Sequence, residues 1–297
     1  MPLKLFTFSF PAMGGTNELQ IYHEDETSVE NIFKDVLEDI KFIEEKYSRY
    51  KEDSIVSQIN RNAGIKPVEV DKETAALIDY AEVCYKQSNG LFDLTSGILR
   101  EAWDFKSSNL PSQDKINSLL PKIGWDKVEW KNPALFLTQA GMQIDFGGIG
   151  KEFAVDRVSG ILQAQGAKHC LINLAGDIRI LGPHPDDSAW SVGIKHPRKV
   201  DTVISSIFVK FGAITTSGDY ERFLEHKGKR YSHLLNPKTG WPVESFQSVT
   251  LIGESCLVAG SICTIAMLLG ETEGLKFLRA SGREFFAINQ NEKIISK

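Results

Sequence analysis

Residues 145–152 read Asp-Phe-Gly-Gly-Ile-Gly-Lys-Glu, and this glycine-rich turn leads into a helix predicted over 151–165. Glycine lets a ligand approach the backbone, and the N–H groups at a helix start attract anions. The turn is not a Walker A loop, because Asp145 and Glu152 stand where that motif needs glycine and a hydroxyl. It is not Gly-x-Gly-x-x-Gly either, because Phe153 replaces the last glycine. By itself the stretch favours a close-packed strand-to-helix turn, with an anion site as the alternative.

The chain on either side of this turn differs in pattern. Helices dominate the first half, where apolar residues at helical spacing predict helices over 28–47, 71–88 and 111–120. Strands dominate the second half, at 170–174, 178–181, 190–194, 203–209, 249–252, 285–288 and 293–295, with one buried helix over 255–269. Because there is no strict βαβα alternation, the pattern predicts the α+β class, with mixed β-sheets and surrounding helices. We expect one domain over 1–297, with a two-lobed form as the alternative.

Charge and length exclude several classes of protein. The chain has 297 residues and a formal net charge of −5, which argues against binding the phosphate backbone of nucleic acids. No apolar run reaches the roughly 18 residues that a membrane span needs. The opening stretch over 1–10 is too short for a signal peptide and alternates like a strand. As it stands, the sequence predicts a cytoplasmic protein, or an exported or membrane-anchored one if a native signal has been removed.

Three further polar segments carry candidate functional side chains. Residues 215–222 include Ser217 and Asp219, and residues 231–240 include His233, all in predicted loops beside strands. Hydroxyl and glycine-rich loops can bind phosphate, and a histidine can take a proton near neutral pH. Asp93, in the segment 90–96, follows the end of a predicted helix. Ordinary turns are the alternative for each segment. The other histidines lack the spacing of metal ligands.

Taken in order, the segments resemble those of the ApbE family, the FAD:protein FMN transferases, over nearly the whole chain. The matching motifs are Met13-Gly14-Gly15-Thr16, Ser48-Arg49-Tyr50, Gly90-Leu91-Phe92-Asp93-Leu94-Thr95, residues 145–151, Asn173-Leu174-Ala175-Gly176-Asp177, Trp190-Ser191-Val192-Gly193-Ile194, Thr216-Ser217-Gly218-Asp219-Tyr220 and Tyr231-Ser232-His233. Each motif alone has low specificity, but their shared order and spacing are specific.

The resemblance implies a fold, an activity and a set of site residues. The family splits FAD, transfers FMN to a threonine hydroxyl of an acceptor protein and releases AMP, usually with Mg²⁺. His233 corresponds to the family's proposed general base. Residues expected at the FAD site are Met13, Tyr50, Leu91, Phe92, Asp93, Asp145, Lys151, Ser217 and Asp219. The implied metal ligands are Thr264 and a backbone carbonyl near Gly148 or Gly150.

Three positions depart from the family pattern. Gly260 stands where the family has a metal-ligating Asp, four residues before Thr264, so one oxygen donor and one negative charge are missing. The sequence identifies no compensating carboxylate, although Glu254 is near in sequence. Gly260→Asp is accordingly expected to raise metal affinity. In addition, Asn236 replaces an Asp, and Ala175 replaces a glycine.

Because of Gly260, two other functions stay open beside FMN transfer. One is an FAD-binding protein with little or no transferase activity, such as a flavin carrier. The other is an FAD pyrophosphatase, in which water replaces the threonine and FMN and AMP are released. Metal binding separates the first alternative from the enzymes, and a threonine-bearing acceptor separates transfer from hydrolysis.

Overall fold

An eight-stranded antiparallel sheet forms the centre of the structure, a computed structural model that describes residues 2–107, 109–199 and 202–297. In chain order the strands are β1 (Lys4–Ala12), β2 (Gly15–His23), β3 (Val68–Glu69), β4 (Val128–Lys131), β5 (Ala134–Leu137), β6 (Cys170–Leu174), β7 (Asp177–Ile180), β8 (Trp190–Lys195), β9 (Val203–Val209), β10 (Gly212–Gly218), β11 (Phe223–His226), β12 (Lys229–Ser232), β13 (Phe246–Gly253), β14 (Phe285–Asn289) and β15 (Ile294–Ser296). The central sheet has the order β1-β2-β6-β7-β10-β13-β14-β15. Smaller antiparallel sheets pair β3-β5-β4, β8-β9 and β11-β12.

Seven α-helices surround these sheets within the described ranges. They are α1 (Glu26–Tyr47), α2 (Ile55–Arg61), α3 (Lys72–Gln87), α4 (Gln113–Leu119), α5 (Gly150–Ala164), α6 (Cys256–Leu269) and α7 (Glu271–Ala280). A 3-10 helix covers Leu94–Glu101. In α1, Val29, Ile32, Val36, Ile40 and Ile43 form the buried stripe that its sequence predicts. The stripe belongs to a core shared with α5 and the first strands of the central sheet.

Two hairpin turns lie side by side at one end of the strands of the central sheet. Met13 and Gly14 (φ 53° and 76°) join β1 to β2, and Ala175 and Gly176 (φ 50° and 99°) join β6 to β7. Two successive residues with positive φ match the twist of antiparallel strands. Because β2 pairs with β6, the two turns meet, and a Cβ on Gly15 would lie 2.8 Å from that of Ala175.

The predicted elements are present, with ends that shift by a few residues. The α+β class is confirmed, because the neighbouring strands of the central sheet all pair antiparallel and helices pack around the sheets. The loop prediction is confirmed for 219–222 and was wrong for Tyr231 and Ser232, which end β12. It was also wrong for 215–218, since β10 covers Gly212–Gly218 and pairs with both β7 and β13. Its glycines and hydroxyls are typical of turns, but hydrogen bonds from two flanking strands outweigh that local preference. Among the described residues, no helix is long and apolar enough to cross a membrane.

Candidate functional site

A cleft of about 1730 Å³ opens beside the two hairpin turns. Its walls come from both turns, from α1, from the start of α5, from β8 and from the ends of β10 and β12. Most small-molecule sites measure about 300–1,000 Å³. The cleft is therefore large enough for a dinucleotide.

The cleft is strongly basic although the chain as a whole is acidic. Ten Lys and Arg residues line it against four Asp and Glu residues. The basic residues are Lys41, Arg49, Lys51, Arg100, Lys151, Lys195, Arg198, Lys199, Arg222 and Arg230, and the acidic ones are Glu44, Glu45, Asp145 and Glu221. A concave surface lined by one sign of charge concentrates ligands of the opposite sign. The cleft thus suits an anion such as a pyrophosphate.

The start of α5 contributes a cation and backbone donors to this cleft. Ile149, at the N-cap position, supplies no side-chain hydrogen bond to the first turn. Such a helix end leaves N–H groups available to an anion. Lys151 places Nζ 2.8 Å from Oδ2 of Asp177. Burial disfavours the charged lysine, but the attraction of Asp177, Glu152 and Glu221 outweighs burial and raises the pKa of Lys151.

Arg49 holds the glycine-rich turn at 145–150 in place through Asp145. Its Nη1 lies 3.2 Å from Oδ2 of Asp145 and donates to the carbonyl of Gly97, and its Nη2 donates to Gln143. Oδ1 of Asp145 accepts the Gly147 N–H at 2.7 Å, which fixes the turn. Next to this assembly, Tyr50 is 82% exposed and leaves a ring face open for stacking at the rim of the cleft.

His233 lies in the cleft with one ring nitrogen held by the backbone. Its Nδ1 is 3.1 Å from the Arg222 carbonyl oxygen, which can only accept a hydrogen bond. The neutral ring therefore carries its proton on Nδ1, and Nε2 remains the basic atom. Burial and then the positive charge of Arg100 lower the pKa of His233 to about 4, with smaller contributions from Arg222 and Lys151. The imidazole is neutral at pH 7.

Behind the α5 turn lies a second group of oxygen atoms, facing α6. Oγ1 of Thr264 is 2.9 Å from Oγ of Ser217. A Cβ added to Gly260 would lie 2.6 Å from Cγ of Glu152 and 3.0 Å from its Oε1. Burial raises the pKa of Glu152, and the negative charge of Asp177 raises it further. No cluster of three or more His, Cys, Asp or Glu side chains suited to a metal occurs within 2–107, 109–199 and 202–297.

The structure separates the predicted site residues into two sets. One set lines the cleft and consists of Met13, Tyr50, Asp145, Gly150, Lys151 and His233. The other set does not line it and consists of Leu91, Phe92, Asp93, Gly148, Ser217, Asp219 and Thr264. Of the second set, Ser217 and Thr264 belong to the oxygen group behind the α5 turn. Phe92 packs against Gly148, where an added Cβ would lie 3.2 Å from Cζ of the ring.

Two of the predicted carboxylates make structural contacts. Oδ1 of Asp93 accepts the backbone N–H and the hydroxyl of Thr95, at 2.8 and 2.7 Å, and Oδ2 accepts the Trp125 N–H at 3.2 Å. Asp93 is therefore the N-cap of the 3-10 helix that follows. Asp219 forms a two-point ion pair with Arg198, at 2.6 and 2.7 Å. Asp219 thereby acts on the cleft through an arginine of its wall.

Sequence patterns alone did not identify Arg100 and Arg222 as site residues. Both line the cleft, and the positive charge of each disfavours protonation of His233, although the hydrogen bond to the Arg222 carbonyl raises the pKa of His233. Arg100 lies outside every segment predicted to form the site, and Arg222 ends the candidate segment 215–222 but was not singled out within it, so their position in the fold reveals both. Glu254 is exposed in the loop before α6, more than one helical turn from Gly260, and does not replace the missing carboxylate.

These features define the class of protein as an α+β protein whose basic cleft meets an open helix start. A sequence model of the ApbE family matches residues 13–287. The chain belongs to the ApbE family.

Similar proteins agree with this assignment. The chain is 30% identical to an FAD:protein FMN transferase of Klebsiella pneumoniae (strain 342), over 93% of this chain and 86% of the relative. It is 31% identical to the ApbE protein of Thermotoga maritima, whose crystal structure superposes with a TM-score of 0.90 over 99% of this chain and 97% of that one. The flavin transferase ApbE from Vibrio cholerae superposes with a TM-score of 0.87 at 25% identity, over 100% of this chain and 97% of that one.

Proposed function

We propose that the chain is an FAD:protein FMN transferase, which moves FMN from FAD to a threonine hydroxyl of an acceptor protein and releases AMP. The observation that carries the proposal is the basic cleft in which Lys151 and the free Nε2 of His233 meet. Proteins named for this activity match the chain over most of its length.

In this proposal, the cleft binds FAD chiefly through its pyrophosphate. Lys151 and the N–H groups at the start of α5 face the phosphate charge. Tyr50 provides an aromatic surface at the rim for a flavin or adenine ring. The left-handed backbone of Met13 and Ala175 keeps both hairpin turns tight, which leaves room between them and α5.

The chemistry needs a base, charge neutralisation and alignment. Nε2 of His233 accepts the proton of the acceptor threonine as its oxygen attacks the phosphorus on the riboflavin side of FAD. The new P–O bond forms as the bond from that phosphorus to the bridging oxygen breaks, and AMP leaves with that oxygen. Lys151, Arg100 and Arg222 neutralise the negative charge that develops on the phosphates.

The family resemblance also implies Mg²⁺, and the donor atoms behind the α5 turn fit it. Mg²⁺ prefers hard oxygen ligands. The hydroxyl of Thr264, a carbonyl of the turn at Gly148 or Gly150 and an unpartnered carboxylate oxygen of Glu152 meet that preference. When bound, Mg²⁺ would supply neutralisation of the pyrophosphate charge.

The test is FAD cleavage with and without Mg²⁺ in the presence of a protein domain that bears the acceptor threonine. We expect AMP release together with a mass increase of one FMN on the acceptor. An acceptor whose threonine is replaced by alanine is the control. AMP release without labelling would instead establish the pyrophosphatase, and tight FAD binding with neither product would establish the flavin carrier.

A further inference from the structure

Glu152 is a buried carboxylate without a complete set of partners. The residue is 8% exposed, and Oε2 has no hydrogen-bond partner among the residues that the structure describes. Lys151, the cation beside it in sequence, directs Nζ to Asp177 instead. A buried ionised carboxylate is strongly unfavourable unless a cation or hydrogen-bond donors compensate it. The unpartnered oxygen therefore points to a ligand that the protein chain itself does not provide.

Glu152 also occupies the space that a side chain at position 260 would fill. An added Cβ at Gly260 would lie 2.6 Å from its Cγ, so the two positions cannot both carry a full side chain in this arrangement. Gly260 and Thr264 are four residues apart on α6 and share one face of the helix. The carboxylate of Glu152 thus reaches, from α5, the face of α6 on which Thr264 lies.

The surroundings of that carboxylate supply further oxygen donors. The hydroxyl of Thr264 lies 2.9 Å from that of Ser217 on β10. The glycine turn at 147–150, with its backbone carbonyls, ends two residues before Glu152. A carboxylate, a hydroxyl and a carbonyl form a set of hard ligands that suits a divalent cation and leaves positions for water or phosphate oxygens.

We infer that Glu152 ligates the divalent cation of this site, so that α5 provides the carboxylate that the family pattern places on α6 at position 260. This inference deepens the proposed function, because the cation serves the same phosphate site. It also corrects the expectation drawn from the sequence that Gly260→Asp alone raises metal affinity. The new side chain would collide with Glu152.

The first experiment measures metal binding on the FAD-saturated protein without any acceptor. Mn²⁺ binding is followed by electron paramagnetic resonance and Mg²⁺ binding by calorimetry. We expect Glu152→Gln, which keeps the size of the side chain, to weaken both affinities at least about 10-fold, because a carboxylate ligand is lost. Glu254→Gln removes one charge from the exposed loop before α6, outside the proposed ligand set, and should change the affinities less than twofold.

The second experiment exchanges the two positions. Gly260→Asp alone should bind Mn²⁺ no better than the unmodified chain, whereas Glu152→Gly combined with Gly260→Asp should bind at least about fivefold better than Glu152→Gln. Circular dichroism and thermal melting identify the variants that fold. Wild-type affinity in folded Glu152→Gln, or no Mn²⁺ binding by the unmodified protein, would overturn the inference.

These binding results are distinguishable from a failure of the proposed function. If Glu152→Gln loses Mn²⁺ but the unmodified protein labels no acceptor, the cation ligand stands and FMN transfer does not. If the acceptor is labelled and Glu152→Gln binds Mn²⁺ normally, transfer stands and the ligand assignment is wrong.

Discussion

The segment 90–95 and the segment 145–152 both resemble FAD-site motifs, but they have different surroundings in the fold. In the first, the carboxylate of Asp93 is fully engaged by three donors from Thr95 and Trp125. In the second, Lys151 faces the cleft and Glu152 keeps an oxygen without a partner. Both carboxylates are buried, so burial does not distinguish them. The comparison shows that a buried polar atom without a hydrogen-bond partner indicates a binding site, whereas a buried polar atom with all its partners indicates a structural contact.

The largest effect is expected on the cleft side, at His233. His233→Ala removes the base and should lower the rate of FMN transfer about 10²–10⁴-fold, while the affinity for FAD changes little. Single-turnover measurement of AMP release gives the rate, and flavin fluorescence gives the affinity. His23→Ala, at the end of β2, is the control and should leave the rate unchanged. A loss of FAD binding as large as the loss of rate would assign His233 to binding instead of proton transfer.

On the structural side, Asp93→Ala should destabilise the protein instead of weakening FAD binding. The change leaves the buried N–H groups of Thr95 and Trp125 without an acceptor and removes a helix cap, which costs about 2–4 kcal/mol of the free energy of unfolding. Urea denaturation measures that energy, and fluorescence measures FAD binding by the folded fraction. If Asp93→Ala instead lowered the affinity for FAD tenfold and left the stability unchanged, Asp93 would belong to the FAD site, as the segment 145–152 is proposed to do.

A substitution at Lys151 is the corresponding test for the segment 145–152. Lys151→Met together with Asp177→Asn removes the cation without leaving an unpaired buried charge, and should weaken FAD binding roughly 10-fold through one lost charge-assisted contact. Asp177→Asn alone keeps the cation and is the control. Equal FAD affinity in the double variant and the control would remove Lys151 from the phosphate site.

The lowered pKa of His233 gives a further test, because it has two causes in the cleft: burial first, and then the positive charge of Arg100. With a pKa of about 4, the ring is neutral in the free enzyme from pH 8 down to about 5. The value of kcat/KM for FAD should therefore change less than about twofold over that range and fall as pH drops towards 4. A decline centred near pH 6.5 that remains after correction for unfolding would mean that the pKa of His233 is not lowered in the folded protein.

The smallest effect concerns Ala175, in the left-handed conformation at the cleft edge. Ala175→Gly relieves a backbone cost of about 1–2 kcal/mol but increases the freedom of the unfolded chain, so we expect a net stabilisation of about 0.5 kcal/mol. Thermal and urea unfolding measure it. Gly166→Ala, past the end of α5 at a φ of 81°, is the reverse control and should destabilise. Destabilisation by Ala175→Gly would show that the methyl group contributes packing that outweighs the strain.

The sequence by itself determined the α+β class, the helices with clear apolar stripes such as α1, the family, and the glycine turn at 145–152. These features depend on residue type and local spacing, which are present in any short window of the chain. Local spacing also explains the failure at 212–218, because the strand β10 owes its conformation to β7 and β13 and not to its own residues.

Only the tertiary structure decided which buried polar groups lack a hydrogen-bond partner. The three donors to Asp93 include Trp125, and the space above Gly260 is filled by Glu152, yet nothing in the spacing of these residues relates them. Arg222 likewise approaches His233 only when β11 pairs with β12, and Arg100 only when its 3-10 helix packs beside β12. Hydrogen-bond satisfaction and the field at a titrating group depend on distances between segments far apart in sequence, and packing sets those distances.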